Sequence, residues 1–138
     1  MTSRVLLVDT SVAVALAVID HEHHSATVDA IGHRPLGLSG HASFETFSVL
    51  TRLSPPIRRT PSTVLHLLSR NFPESRFLGA QSAGDLLNRV TKIGVAGSAV
   101  YDALVASAAL EHQLPLATRD RRAIETYRAL GVELEILI

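Results

Sequence analysis

The sequence predicts a single α/β domain, a mostly parallel central sheet flanked by helices in a three-layer α/β/α arrangement. Three observations predict it. Short apolar runs alternate with segments of helical period along all 138 residues. No linker, internal repeat or low-complexity tract divides them. A 46% hydrophobic content is enough for one real core, and the length is short for two.

The elements follow in order. Val5–Val8 is a β-branched-rich strand that ends at Asp9-Thr10-Ser11, and a small apolar helix follows from Val12. Asp20-His21-Glu22-His23-His24 interrupts it, and Ser25–Ile31 is a second helical piece closed by Gly32. Pro35–Leu38 is a short strand. Ala42–Leu53 is a helix with Phe44, Phe47, Val49, Leu50 and Leu53 on its apolar face, ended by Pro55-Pro56. Thr60-Pro61 is a cap and first-turn proline, opening a helix through Val64, Leu65, Leu67 and Leu68. Arg76–Leu78 is a brief strand. Leu86, Leu87, Val90 and Ile93 stripe a helix that stops at Gly94. Ser98–Glu111 is a long helix of small apolar residues, Pro115–Ala117 a strand, Arg121–Leu130 a helix stopped by Gly131, and Val132–Leu137 the closing strand.

Composition narrows the function classes. Formal net charge is zero, so no global field draws the chain to nucleic acid or an anionic membrane. Lys92 is the only lysine among 13 basic residues. The arginine bias suits phosphate and carboxylate recognition, and equally a high-GC coding sequence. The absence of cysteine excludes disulfides, thiolate metal sites and a cysteine nucleophile. Met1–Arg4 and Ala15-Leu16-Ala17 superficially resemble the ends of an export signal. Asp9 would then lie inside the apolar stretch, where a charge costs roughly 2.5–3.5 kcal/mol at a helix centre. The uninterrupted run Val12–Ile19 is also too short to span a bilayer. The expectation is a soluble cytoplasmic protein with no membrane contact.

In parallel sheets ligands bind beyond the carboxyl ends of the strands. Asp9 holds that position after the first strand and Asp120 after Pro115–Ala117, with Thr118 and Arg119 between. Two further acids sit in apolar settings. Asp102 has Ser98, Val105, Ala106 and Ala109 as same-face neighbours and no clear solvent face, and Glu45 lies between Phe44 and Phe47. A buried carboxylate is costly unless it is paired, hydrogen-bonded or metal-bound. Each acid alone has a bland role: Asp9 and Asp120 as helix caps, Asp102 as a solvated edge, Glu45 as a partner of Arg52.

Brought together, four carboxylates raise one another's pKa, and a hard divalent cation removes the conflict. An all-oxygen donor set favours Mg²⁺ or Mn²⁺, which also bind phosphate. Such an ion activates water and neutralises a leaving oxygen in attack on a phosphodiester. His21, His23 and His24 are packed too closely for a zinc-binding helix face and fit a solvated turn. Arg119, Arg121 and Arg122 around Asp120, and Arg58 and Arg59 in a loop, could hold RNA phosphates or simply face solvent.

Val8-Asp9-Thr10-Ser11-Val12, Phe44-Glu45-Thr46, Tyr101-Asp102-Ala103-Leu104-Val105-Ala106 and Leu116-Ala117-Thr118-Arg119-Asp120 resemble, in order and spacing, the four acidic motifs of PIN-domain nucleases. The size and layout resemble the VapC-type toxins of bacterial toxin–antitoxin pairs, over essentially the whole chain. The resemblance implies a Mg²⁺- or Mn²⁺-dependent endoribonuclease acting on structured RNA such as tRNA or rRNA. It also implies a homodimer restrained by a small cognate antitoxin of the VapB type. Asp9, Glu45, Asp102 and Asp120 match the acidic positions, and Ser11 and Thr118 match the hydroxyl residues that brace them. Ala123 and Gln113 depart from the family pattern, which more often has a large apolar or aromatic residue and a glycine there.

Other functions are separable. A HAD-type phosphatase needs a second Asp two residues after the first, and Ser11 stands there. A receiver domain needs an acidic cluster after its first strand and a lysine after its last, and both are missing. A PIN-like scaffold that binds proteins without catalysis stays open as the alternative.

Overall fold

In the computed structural model, which describes residues 4–138, four strands and seven helices alternate. They are β1 (Leu6–Val8), α1 (Thr10–Ala17), α2 (His24–Ile31), β2 (Leu36–Leu38), α3 (Ala42–Thr51), α4 (Pro61–Asn71), α5 (Ala80–Ile93), α6 (Ala99–Glu111), β3 (Leu116–Thr118), α7 (Ile124–Leu130) and β4 (Leu134–Ile136). All strand pairs are parallel, in the order β2-β1-β3-β4. The three-layer expectation holds, and it follows from strand alternation. Leu6, Val8 and Ala117 point into a core shared with Val12, Leu50, Val64 and Leu68 of α1, α3 and α4. Leu7 and Leu116 point the other way, onto Leu86, Val105, Ala109, Tyr127 and Leu130 of α5, α6 and α7.

Thr60 caps α4 with Pro61 at its first position, and its hydroxyl accepts from the Thr63 amide. The expected strand Arg76–Leu78 does not form: only Arg76 bridges, to Ser39, on the outer side of β2. The backbone before it lies so close to β2 that a β-carbon on Gly37 would come within 2.1 Å of the Glu74 carbonyl oxygen. Ser75 Oγ, not a main-chain carbonyl, accepts from Leu38 N. Helix α7 begins at Ile124 rather than Arg121, because residues 121–123 form a turn. Asp120 therefore caps that turn, its Oδ1 accepting from Arg122 N, and does not cap the helix. Gln113 adopts φ +54°, which accounts for the family's glycine there. The charged-leader possibility at Met1–Arg4 lies, apart from Arg4, outside the described residues; Arg4 pairs with Glu133 at 3.1 Å. No described helix is long and apolar enough to cross a membrane.

Candidate active site

The chain leaves β1 toward β2 on one side and reaches β3 on the other, so the crevice beyond β1 and β3 is where an open parallel sheet binds its ligand. Asp9 stands at the end of β1. It is the one charged side chain fully buried among the described residues. Its Oδ1 accepts from Ser11 Oγ at 2.6 Å and from Val12 N at 3.2 Å, which makes it the N-cap of α1. Its Oδ2 accepts from the Thr118 hydroxyl and from Tyr127 OH at 2.9 Å. Four donors thus occupy the four lone-pair directions of one carboxylate. Burial pushes the Asp9 carboxyl up, while the hydroxyls of Ser11, Thr118 and Tyr127 and the Val12 amide pull it down.

Ser11 and Thr118 do more than donate to Asp9. Ser11 Oγ accepts from Arg119 N at 2.9 Å and Thr118 Oγ1 from Asp120 N at 3.0 Å. Each hydroxyl passes a loop amide's hydrogen bond on to the Asp9 carboxylate, clipping the Thr118–Asp120 loop against it. Tyr127 is the member that sequence reasoning missed. The available signal was a lone phenol among the apolar residues of its helix, and its burial also drives its own pKa upward.

Glu45 and Asp102 enter from the first turns of α3 and α6. Ser39 Oγ ties the β2–α3 turn to α6 through Val105 O at 2.7 Å. At Gly40 the backbone is left-handed, and a β-carbon would meet Ala108 Cβ at 2.8 Å, so glycine lets the two helices close up. Glu45 lies 3.7 Å from His41 Nε2, and the expected alternative partner Arg52 instead donates to Ser48 Oγ. Burial raises the Glu45 carboxyl, His41 opposes it, and Asp9 and Asp120 add to it. Asp102 is half-buried rather than enclosed, a correction to its apolar sequence setting. Burial, then the charges of Asp120, Glu45 and Asp9, push it up to about 6, with Arg122 opposing.

Glu45, Asp102 and Asp120 line one cleft of about 350 Å³ together with Tyr101 and Arg122. Asp120 and Arg122 also line a wider neighbouring cleft of about 800 Å³, whose wall carries Arg119 and Arg121. An acidic lobe therefore opens directly into an arginine-lined one. Arg58 and Arg59 line neither; they bond to the carbonyls of Leu53 and Ile57 in their own loop. His21 and His23 border the wider cleft, and His24 bonds to Ala15 O, as a solvated turn would.

The donor chemistry fits a hard cation: every candidate ligand is a carboxylate oxygen, and no hydrogen bond or ion pair reaches the Asp102 carboxylate among the described residues. Among the same residues no three His, Cys, Asp or Glu groups are close enough to enclose an ion, so what the four acids share is a field, and Glu45, Asp102 and Asp120 share a cleft as well. Mg²⁺ tolerates this, since it keeps several waters and is commonly held by one or two carboxylates plus substrate phosphate.

A family model described as PIN domain matches residues 6–129. Ribonuclease VapC27 of Mycobacterium tuberculosis is 44% identical over 131 residues, 95% of this chain and 96% of that protein. Ribonuclease VapC40 of the same organism is also 44% identical over 131 residues, with 94% and 96% covered. Among solved structures, DNA-bound VapBC from Salmonella typhimurium superposes with a TM-score of 0.68 at 21% identity, covering 100% of both chains.

Proposed function

Because the chain belongs to the PIN-domain family, with VapC ribonucleases as relatives, we propose that it is the toxin of a bacterial toxin–antitoxin pair: a Mg²⁺- or Mn²⁺-dependent endoribonuclease that hydrolyses structured RNA in the cytoplasm. The observation that carries this reading is the half-buried, unpartnered Asp102, held within the field of three other carboxylates at the end of the sheet.

A divalent ion at this cleft supplies a Lewis acid for the phosphodiester and lowers the pKa of an attacking water. Asp102 and Asp120, which line the cleft, would hold it, with Asp9 joining them where one of its four donors gives way to the ion. Asp9 is the rigid member, since four donors fix its position. Glu45 is partly open to solvent and its carboxyl is raised, which suits it to take the proton as water adds to phosphorus and the P–O bond to the leaving oxygen breaks. Arg119, Arg121 and Arg122 offer forks to flanking phosphates across the adjoining cleft. A VapB-type antitoxin, a partner supported by the VapBC complexes that share the fold, and a homodimeric state, expected from the family resemblance, complete the reading.

Purified protein is expected to cut tRNA or rRNA when Mg²⁺ or Mn²⁺ is added and to stop with EDTA. Asp102→Asn and Asp9→Asn are each expected to lower cleavage at least 100-fold, with Asp102→Asn still melting cooperatively and no earlier than the wild type. Cleavage that ignores EDTA, or full activity in both variants, would sink the mechanism. A wild type that cuts no RNA yet binds a small partner protein tightly is a protein-binding module instead.

A further inference from the structure

A chain of rings runs outward from Tyr101 at the wall of the acidic cleft. Tyr101 and His41 stack with centroids 5.1 Å apart and planes at 20°. His41 lies 6.5 Å from Phe44, and Phe44 lies 6.2 Å from Phe77. The four rings come from three separate parts of the chain: the turn into α3, the first turn of α6, and the segment after the Arg76 bridge. Phe44 is 65% exposed, Phe77 56% and Tyr101 52%. The protein has only four Phe and two Tyr, so half of its largest apolar rings lie outside the core, and they lie together. Apolar side chains exposed singly are ordinary, whereas a contiguous patch marks a binding surface.

Two of these rings immediately precede an acid of the site, in Phe44-Glu45 and Tyr101-Asp102. Successive helical residues project about 100° apart, so each helix start sends a carboxylate into the cleft and a ring onto the adjoining surface. His41 joins the two sets, stacking on Tyr101 and standing 3.7 Å from Glu45. Arg122 lines the same cleft as Tyr101, 3.6 Å from Asp120, and Arg119 and Arg121 line the neighbouring one, Arg119 with one N–H given to Leu137 O. Rings beside the cleft and guanidinium groups along it and its neighbour match a single strand, whose bases present π-faces and whose backbone is anionic.

We propose that Tyr101, His41, Phe44 and Phe77 form a stacking platform for unpaired bases of the RNA, placing the phosphate that follows them over the acidic cleft. The proposal rests on the ribonuclease reading and gives it a substrate requirement: an unpaired stretch beside the cut. Stacking is sequence-tolerant, because every base has a π-face, so the platform selects strandedness rather than a base.

The test uses the full chain carrying Asp102→Asn with Mg²⁺, and a short single-stranded RNA with 2-aminopurine near its centre. Binding is expected to quench the probe. Phe44→Ala and Tyr101→Ala are each expected to weaken binding about tenfold and restore the fluorescence, whereas Phe44→Trp and Tyr101→Phe retain both. The rings are exposed, so the alanine variants should melt with the parent. Unchanged affinity and quenching in both alanine variants would overturn the platform. So would alanine variants that dissociate a dimer in sedimentation while each protomer still binds RNA normally, since the strip would then be a protein interface. The two proposals fail separately: a wild type that never cuts RNA with Mg²⁺ refutes the ribonuclease reading, whereas one that cuts, with equally active ring variants, refutes the platform alone.

Discussion

Asp9 shows how one residue reconciles two roles that looked exclusive in the sequence. It caps α1 through Val12 N and also belongs to the field of the acidic cluster, because a carboxylate has two oxygens and the second is free for Thr118 and Tyr127. Removing the phenol hydroxyl leaves a buried carboxylate short of a donor. Tyr127→Phe is therefore expected to destabilise the fold by about 1–2 kcal/mol and to lower cleavage about tenfold, with a higher Mg²⁺ concentration at half-activation; melting and a metal titration check both. Asp102 gives a pH dependence. Its carboxyl sits near 6 in the folded chain against 3.8 for the ordinary group, so the folded state binds a proton that the unfolded chain has released. Stability from this group is full below about pH 4 and is lost as pH rises through about 6. In metal-free protein, Asp102→Asn should abolish that loss and raise stability at pH 7 by about 1 kcal/mol, the shift being discounted for solvent screening. Melting of the two proteins in EDTA at pH 5 and pH 7 checks the sign, the gap widening at pH 7.

Among the elements, the legible ones were those whose signal is local. The apolar run before Asp9, the Thr60-Pro61 cap and the Gly94 and Gly131 stops each depend on neighbours within a few residues. The segment Arg76–Leu78 misled because the main-chain pairing lies just before it and at its first residue. That pairing runs through Glu74 N to Leu36 O, Arg76 N to Leu38 O and Gly40 N to Arg76 O, with the Ser75 hydroxyl replacing one partner, which no periodicity records. The turn at 121–123 was invisible for a similar reason, since Asp120 supplies the same capping bond to a turn as to a helix. Gln113 marks strain at the exit of α6, held in the left-handed region with its carbonyl accepting from Arg4 Nη2 at 2.7 Å. Gln113→Gly is expected to stabilise by about 0.5–1 kcal/mol without changing RNA cleavage, as chemical denaturation and an activity assay will show. Gly40→Ala should do the opposite. The β-carbon pushes α3 from Ala108, lowering stability by about 1–3 kcal/mol and cleavage with it, because Glu45 and Asp102 ride on the two helices that part.

For the whole molecule, the acids and their hydroxyl braces could be listed from sequence because each follows a recognisable strand or helix start. Their mutual distances could not, and neither could Tyr127, whose partner Asp9 is 118 residues away. Net charge zero conceals local clustering, with Glu45, Asp102 and Asp120 on one cleft and Arg119, Arg121 and Arg122 along its neighbour, Asp120 and Arg122 belonging to both. RNA affinity should therefore fall only gently with salt, with a log–log slope of about −2 if these three arginines each hold a phosphate of a single strand; titrations across a salt series measure it.

The two hydroxyl clips also set a schedule. Asp9 is synthesised well before its donors, Thr118 and Tyr127 coming 109 and 118 residues later. Until β3 has docked beside β1, that carboxylate remains hydrated and unfixed, and a nascent fragment carries acids without a site. On the ribonuclease reading proposed above, the chain is armed only when β3 and α7 have been made and its centre closes.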